Sequence, residues 1–506
     1  MNKVIGRYLN WGLSVLVGIG IFLFWYVAYP HALSYQEQYQ LFLWTWDYFV
    51  ERVSLPGGFV DWLGEFIVQF YYIEWLGTLL LALLFVALQR LTLRLLTHGN
   101  NPHVLFRTQG TVPMCLSLVP VALVLWLMGD INVLLSLPVA IVLALALACL
   151  RLSKRLSWVD FIILPIAYWL IGPVVWLYVI IRVIQLGWEH LWTAGWLVAV
   201  QLMVYAWLLP QWPLQQAMTG LNYYRIPLHY PQWSGYDKDM YELIRLDYLV
   251  RNERWDEIVK RAGKYQVKAP FWSNCVNLAL SQKRLLADRM FDFYQSGADA
   301  LIMPRTRDLT SMLPSAEAFW RLGMVNSAQR YMFDTQESIL NGRKSGRCTK
   351  RIAECMIVNG HYQTAAKQLD LLKKSLFYRF WAKEAEAMMK DEATINAHPI
   401  YGKLRQLRYK DNFLYNYDEI DKMFGLLFMN NQENKMALDY FMAQMLLKGN
   451  LQGFQQYMGA VQQYGGYRQM PLGYQDVMHC IQMQGKVPGS PYAKYVQQMA
   501  ERRAER

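Results

Sequence analysis

The chain has 506 residues, 54% of them hydrophobic and 15% aromatic, with 50 Lys/Arg against 38 Asp/Glu and a formal net charge of +12. Sixteen of the 20 Trp precede Ser234, yet residues 1–233 hold only 11 Lys/Arg and 9 Asp/Glu, which leaves 39 and 29, and so +10 of the +12, to the remainder. The late positives are interspersed with acids, which argues against nucleic acid and for anionic headgroups or an acidic partner, and six cysteines without CxxC spacing argue against a zinc centre or a redox dithiol.

Leu9 to Pro210 is near-continuous apolar sequence, broken by short charged clusters at bilayer-spanning intervals. It predicts a polytopic transmembrane domain over 1–210. Lys3 and Arg7 precede the first run, Leu9–Tyr29, and place the N-terminus in the cytoplasm. That run ends in Tyr29-Pro30-His31 rather than in small residues, the ending of an uncleaved anchor. Residues 31–75 are aromatic and acidic, carrying Glu37, Asp47, Glu51, Asp61, Glu65 and Glu74 against Arg52, and are expected outside. Within them Phe59, Leu63, Phe66 and Phe70 recur at helical spacing, while Asp61, Glu65 and Gln69 form a polar stripe on another face. The pattern predicts a helix lying in the interface plane. Further spans are expected at 72–88, 112–128, 131–150, 158–183 and 188–209, six in all, with Pro165 and Gly172-Pro173 kinking or breaking the fifth. The clusters Arg90, Arg94, Arg107 and Arg151, Lys154, Arg155 fall on the cytoplasmic side, and an even count returns the chain there, whereas a broken fifth segment that re-enters would put the repeats in the periplasm. Prolines 210, 213, 227 and 231 predict a semi-rigid connector over 211–235.

Residues 236–506 show little strand signal and much 3.6-residue periodicity, in segments separated by Asn, Gly or Lys turns. Helix pairs are expected, with Asn252–Trp255, Gly323–Asn326, Asn359–Tyr362 and Lys448–Leu451 as the turns within pairs. Small residues such as Ala328 and Ala365, interleaved with Tyr331 and Leu369, suit close helix packing. The expected fold is therefore all-α: a transmembrane bundle followed by a tetratricopeptide-like α-solenoid. The concave face of such an array holds a peptide or protein, and Arg330, Tyr331, Tyr362, Lys367 and Trp381 are the candidate contacts.

Three stretches, Ala318–Tyr331, Ser375–Ala382 and Glu37–Phe42, resemble a family of uncharacterised Bacteroidota membrane proteins built on a domain of unknown function. The resemblance implies a bacterial inner-membrane protein with a helical-repeat tail. It carries no activity onto any residue.

No GxxxxGK[ST], HExxH, GxSxG or GxGxxG pattern occurs, and no two of the 8 His stand at helix-face ligand spacing, so neither cofactor nor metal is expected. Glu74, Asp160, Arg182, Glu189 and His190 fall near span ends and are expected to reach water by snorkelling. Glu37, with Asp47 nearby, is the catalytic candidate. Its place in the first outer loop follows the outline of polytopic glycosyltransferases that use lipid-linked donors, where a carboxylate acts as base toward an acceptor hydroxyl. Transport along the proline-broken fifth span is a third class. The leading expectation is a membrane-anchored scaffold that recruits a protein partner through its helical repeats.

Overall fold

The computed structural model describes residues 2–98, 112–152, 158–208, 213–219, 236–306, 310–339, 343–410, 416–484 and 487–504. Among them every regular element is helical. Most of the connector expected over 211–235 lies outside the described residues, as do Arg107, Lys154 and Arg155. The chain divides into two compact units: unit 1 comprises Met1–Lys238 and Lys374–Phe377, and unit 2 comprises Asp239–Lys373 and Tyr378–Arg506.

Unit 1 starts with α1 (Asn2–Leu23), which continues through a π turn, Phe24–Ala28. The outer segment forms α2 (Pro30–Gln38), α3 (Trp46–Val53) and α4 (Gly58–Val68). Then come α5 (Glu74–His98), α6 (Val112–Leu116), α7 (Leu118–Leu127), α8 (Ser136–Leu150), α9 (Trp158–Ile171), α10 (Val175–Leu186), α11 (Trp192–Leu208) and the short α12 (Leu214–Thr219). Four stretches are long and apolar enough to cross a membrane: Tyr8–Ala28, Glu74–Thr97, Trp158–Leu186 and Trp188–Leu208. The other two expected spans are the shorter apolar helices Val112–Leu127 and Ser136–Leu150. The fifth span is kinked rather than broken. Pro165 stays inside α9, and a 3₁₀ turn at Gly172–Val174 hands the chain to α10, with Gly172 at φ +76°, a conformation that glycine adopts without steric cost.

In unit 1, α5 packs on α1 and α8, and α4 packs on α8 and α9. The close approach of α4 to α8 depends on Gly64, where a Cβ would lie 2.8 Å from the Ser136 nitrogen. The buried face of α4 is Val60, Asp61, Gly64, Glu65 and Val68, followed by Gln69. The polar stripe that suggested an interfacial helix therefore points into the unit, while Phe59, Trp62 and Phe66 stay partly exposed. Periodicity locates two faces of a helix but does not say which one meets protein; where the surroundings are apolar, the polar face turns inward.

Unit 2 runs through α13 (Lys238–Arg251), α14 (Trp255–Ala262), α15 (Pro270–Gln282), α16 (Leu286–Arg289), α17 (Leu313–Leu322), α18 (Val325–Glu337), α19 (Gly346–Asn359) and α20 (Tyr362–Lys373). It continues with α21 (Tyr378–Met388), α22 (Glu392–Ala397), α23 (Tyr401–Leu407), α24 (Ile420–Asn430), α25 (Lys435–Lys448), α26 (Leu451–Gln456), α27 (Met458–Tyr464), α28 (Leu472–Gln482) and α29 (Pro491–Ala504). Five pairs share one turn. Glu253, Arg284, Gly323, Gly360 and Gly449 adopt left-handed backbone at φ +55°, +58°, +86°, +79° and +76°. The next N–H donates to the carbonyl five residues back: Arg254 to Leu249, Leu285 to Leu280, Met324 to Phe319, His361 to Met356 and Asn450 to Met445, at 2.7–2.9 Å. This bond closes the first helix, and the second helix starts at the following residue.

The pairs do not touch only their neighbours. α25 packs on α15 and α16, and α28 packs on α16. Asn434 Nδ2 donates to the Leu322 carbonyl at 2.8 Å and Gln444 Nε2 to the Ala298 carbonyl at 3.0 Å. The late helices thus return to early ones, a departure from an array in which each repeat meets only the next.

Candidate functional site

Ionisable groups inside an apolar helical unit are costly to bury and mark sites by default. Among the described residues of unit 1, two such centres are buried.

The first joins α8, α9 and α10. Asp160, in the first turn of α9, is fully buried. Its Oδ1 accepts the Tyr178 hydroxyl at 2.6 Å and lies 3.3 Å from Arg151 Nη2, while its Oδ2 lies 3.3 Å from Arg182 Nη2. Arg182 Nη1 also donates to the Arg151 carbonyl at 3.1 Å. Tyr178 and Arg182 stand one turn apart on α10, so one helix face presents both donors. Snorkelling expected at Asp160 and Arg182 is not what happens: both are sealed inside the unit, at 0% and 1% exposure, because each supplies the other's counter-charge. With both carboxylate oxygens engaged, this centre braces three helices.

The second centre lies where α2 and α4 meet the 3₁₀ turn Gln69–Tyr72 and the start of α8. α2 buries all of His31–Gln38, including Glu37 at 4% exposure. α4 adds Asp61 and Glu65 at 5% and 1%. Glu65 accepts a short hydrogen bond from the Tyr48 hydroxyl and lies 3.2 Å from Arg52 Nε, both on α3. Gln36 Nε2 donates to the Val133 carbonyl at 3.2 Å, tying α2 to the approach to α8. The two packed helices thus bury Glu37, Asp61 and Glu65 together with His31, Gln36 and Gln38, and Arg52 is the counter-charge of Glu65. Among the described residues no group of three or more His, Cys, Asp or Glu is placed to hold a metal ion.

Glu37 is buried on α2, which packs on α4 and on the turn Gln69–Tyr72, and Asp47 is exposed in the first turn of α3. Glu189 is exposed and His190 half-buried in the 3₁₀ turn before α11, and Glu74 is half-buried at the start of α5. Sequence reasoning singled out neither Tyr48 and Arg52 as partners of Glu65 nor Arg151 and Tyr178 as partners of Asp160. Only the spacing of Asp61, Glu65 and Gln69 signalled a shared face.

Of the candidate contacts in unit 2, Arg330 and Lys367 are exposed. Tyr362 is half-buried, its hydroxyl bonded to Glu392 and accepting from Arg405 Nη2 at 2.7 Å. Trp381 is half-buried with the Lys350 ammonium 4.9 Å from its ring centroid. Tyr331 must be withdrawn. It is wholly buried, packed edge-on against Phe319 at 5.1 Å, and its hydroxyl donates to the Met303 carbonyl at 2.8 Å. Its position three residues after Ala328 turns it toward the paired helix rather than outward. Unit 2 also buries a charge network: Arg347 Nη1 lies 2.6 Å from Asp247, and Arg351 Nη2 2.9 Å from Glu317. Burial would raise the Glu317 pKa, but Arg351 and Arg347 outweigh it and hold the group at about 2. The network ties α13, α17 and α19 together.

A family model described as a family of unknown function (DUF6057) matches residues 7–506, and the chain belongs to that family. No curated protein and no solved structure matches it.

Proposed function

We propose that this chain is an integral protein of a bacterial inner membrane, in which unit 1 is the anchor and unit 2, a tetratricopeptide-like helical-repeat domain, recruits a protein partner. One observation carries the reading: the two units have opposite polarity. Unit 1 buries Asp160, Arg182 and Glu65 while exposing Ile162, Ile166, Ile180 and Ile184. Unit 2 buries Trp272, Phe319, Phe424 and Tyr440 and exposes Arg330 and Lys367. The first pattern suits lipid and the second suits water. The five equivalent turns support the repeat character of unit 2, and its exposed basic side chains favour an acidic partner surface.

Five of the six cysteines are buried, Cys348 among them, so topology needs an engineered label. Lys367→Cys, in a full-length chain whose own cysteines are replaced, would be treated in intact cells with a membrane-impermeant maleimide. Protection until lysis places unit 2 in the cytoplasm. A photo-crosslinking residue at position 367 or 330 should then give a discrete adduct in membranes, lost when Arg330 and Lys367 are both changed to Glu. Extraction of the chain by alkaline carbonate would overturn the anchoring half, and the lack of any discrete adduct would overturn recruitment.

A second reading, an enzyme acting on a lipid-linked donor, is favoured by the burial of the Glu37 carboxylate on α2 of the outer segment. Glu37→Gln should then abolish a glycan phenotype as completely as deletion of the chain does. An unchanged phenotype would remove this reading.

A further inference from the structure

The kink in the fifth span turns the chain back on itself. Asp160 and Arg182 lie 22 positions apart, which is about 33 Å along a straight helix. Their side chains nevertheless meet at 3.3 Å, and the Tyr178 hydroxyl bonds the same carboxylate at 2.6 Å. The chain stays helical through Gly172–Val174, so that turn is the tip of an antiparallel hairpin. Its limbs, α9 and α10, have 14 and 12 residues and rise about 21 and 18 Å, each short of the ~30 Å hydrocarbon core. α11 then runs parallel to α9: Trp196 stacks on Phe161 at 4.0 Å, and Trp207 lies 5.9 Å from Trp169.

These pairings define two ends of unit 1. The first gathers Trp11 with Arg90, Cys149 with the Leu91 carbonyl, and Arg151 with Asp160 and Arg182. The second gathers the Gly57 nitrogen with the Trp169 carbonyl at 2.8 Å, Gly64 with Ser136, and the hydroxyls of Tyr29 and Tyr236 at 3.5 Å. α1 runs from the first end to the second, and so does α11. An even number of crossings would bring the chain out of α11 at the end where α1 starts. It comes out at the other end because the hairpin has returned it to the first end before α11 begins. Past the connector, Tyr236 still lies at the second end, where a Cβ on Gly129 would be 3.4 Å from its nitrogen. Charge distinguishes the two ends: Lys3, Arg7, Arg90, Arg94 and Arg151 flank the first, whereas residues 30–73 at the second hold five acids against Arg52. By the positive-inside tendency the first end is cytoplasmic.

We propose that the chain leaves the bilayer on the periplasmic side, so that unit 2 recruits a protein of the envelope rather than of the cytosol; this rests on the inner-membrane anchoring argued above. Three full-length chains test it, each with its own cysteines replaced and one exposed position changed: Trp46→Cys, Thr97→Cys and Lys367→Cys. They are treated with a membrane-impermeant maleimide in cells whose outer membrane alone is permeabilised. Trp46→Cys and Lys367→Cys are expected to label, and Thr97→Cys only after lysis. Protection of Lys367→Cys alongside Thr97→Cys, with Trp46→Cys labelled, would overturn the inference and leave the anchor standing. Labelling of all three before lysis would mean that no membrane seals unit 1, and both readings would fall. Reporters fused to the C-terminus of the unaltered chain decide the matter where loss of the buried cysteines unfolds it. Alkaline phosphatase, active only where disulfides form, is expected to be active, and a fluorescent protein that matures only in the cytoplasm is expected to stay dark. A bright fluorescent fusion with an inactive phosphatase would overturn the inference.

Discussion

Asp160 and Arg182 meet at 3.3 Å between the first turn of α9 and the last turns of α10, with neither side chain reaching solvent. The same carboxylate holds Arg151 and Tyr178, so three helices share one anion. Removing one partner of a buried ion pair costs about 3–5 kcal/mol, whereas replacing the whole group by apolar side chains of similar volume is nearly neutral. Asp160→Leu is therefore expected to lower the thermal unfolding temperature in detergent sharply. Adding Arg151→Met and Arg182→Met to it should restore most of the loss. A single variant as stable as the parent would end the bracing role.

What the chain discloses before folding follows from the range of each signal. The four long apolar helices are composition, and composition is local. The stripe Asp61, Glu65 and Gln69 was legible as a face, but its direction depends on whether lipid or water surrounds the unit. Asp160 and Arg182 are 22 positions apart, and no spacing rule links them. Four of the five repeat turns show up as Asn, Gly or Lys signals. The fifth is disguised, since Arg284 takes the left-handed conformation that Gly323, Gly360 and Gly449 take at the equivalent place. Tyr331 looked like a contact residue because aromatics serve both cores and interfaces.

The equivalent glycines make a graded prediction. At Gly360, φ +79°, an added Cβ meets nothing within 4 Å, so Gly360→Ala should cost only the left-handed backbone penalty of about 1 kcal/mol. At Gly323, φ +86°, the same atom would lie 3.0 Å from the Leu407 carbonyl carbon, so Gly323→Ala should cost distinctly more. Denaturant midpoints of the two variants, measured side by side, check the order. Equal losses would mean that α23 yields freely at Leu407.

Gly64 offers a test within unit 1. A Cβ there would come 2.8 Å from the Ser136 nitrogen and 3.0 Å from its Cα, both backbone atoms that cannot rotate away. Gly64→Val must push α4 off α8, and overpacking of this kind costs about 1–3 kcal/mol. Gly12→Ala, where no atom lies within 4 Å, is the control and should leave the unfolding temperature unchanged or slightly raised. Thermal unfolding of both variants in detergent decides it, and a Gly64→Val protein as stable as the control would show that the two helices are not in close contact.

Asp439 should make unit 2 sensitive to pH. Its carboxylate accepts the Tyr467 hydroxyl at 2.5 Å and pairs with Arg284 Nη1 at 2.5 Å, and Arg284 Nη2 also bonds the Gly465 carbonyl, so the contact ties α25 to the turn after α15 and to the segment before α28. Burial pushes the Asp439 pKa up to about 6; Arg284 and the Tyr467 hydroxyl oppose that rise, and Asp288 adds to it. An acid raised above its usual 3.8 holds its proton more tightly in the fold than in the unfolded chain. The stability it contributes is then fully present below about pH 4 and lost as pH rises through about 6, a change on the order of 3 kcal/mol. Amide hydrogen exchange in α25, corrected for intrinsic rates, should show opening becoming easier from pH 4.5 to pH 7. Asp439→Asn, which cannot ionise, should flatten that profile while the exchange of α19 keeps its own. If wild type and Asp439→Asn show the same pH profile across this window, Asp439 is not the titrating group and the contact owes its strength to Arg284 and Gly465 alone.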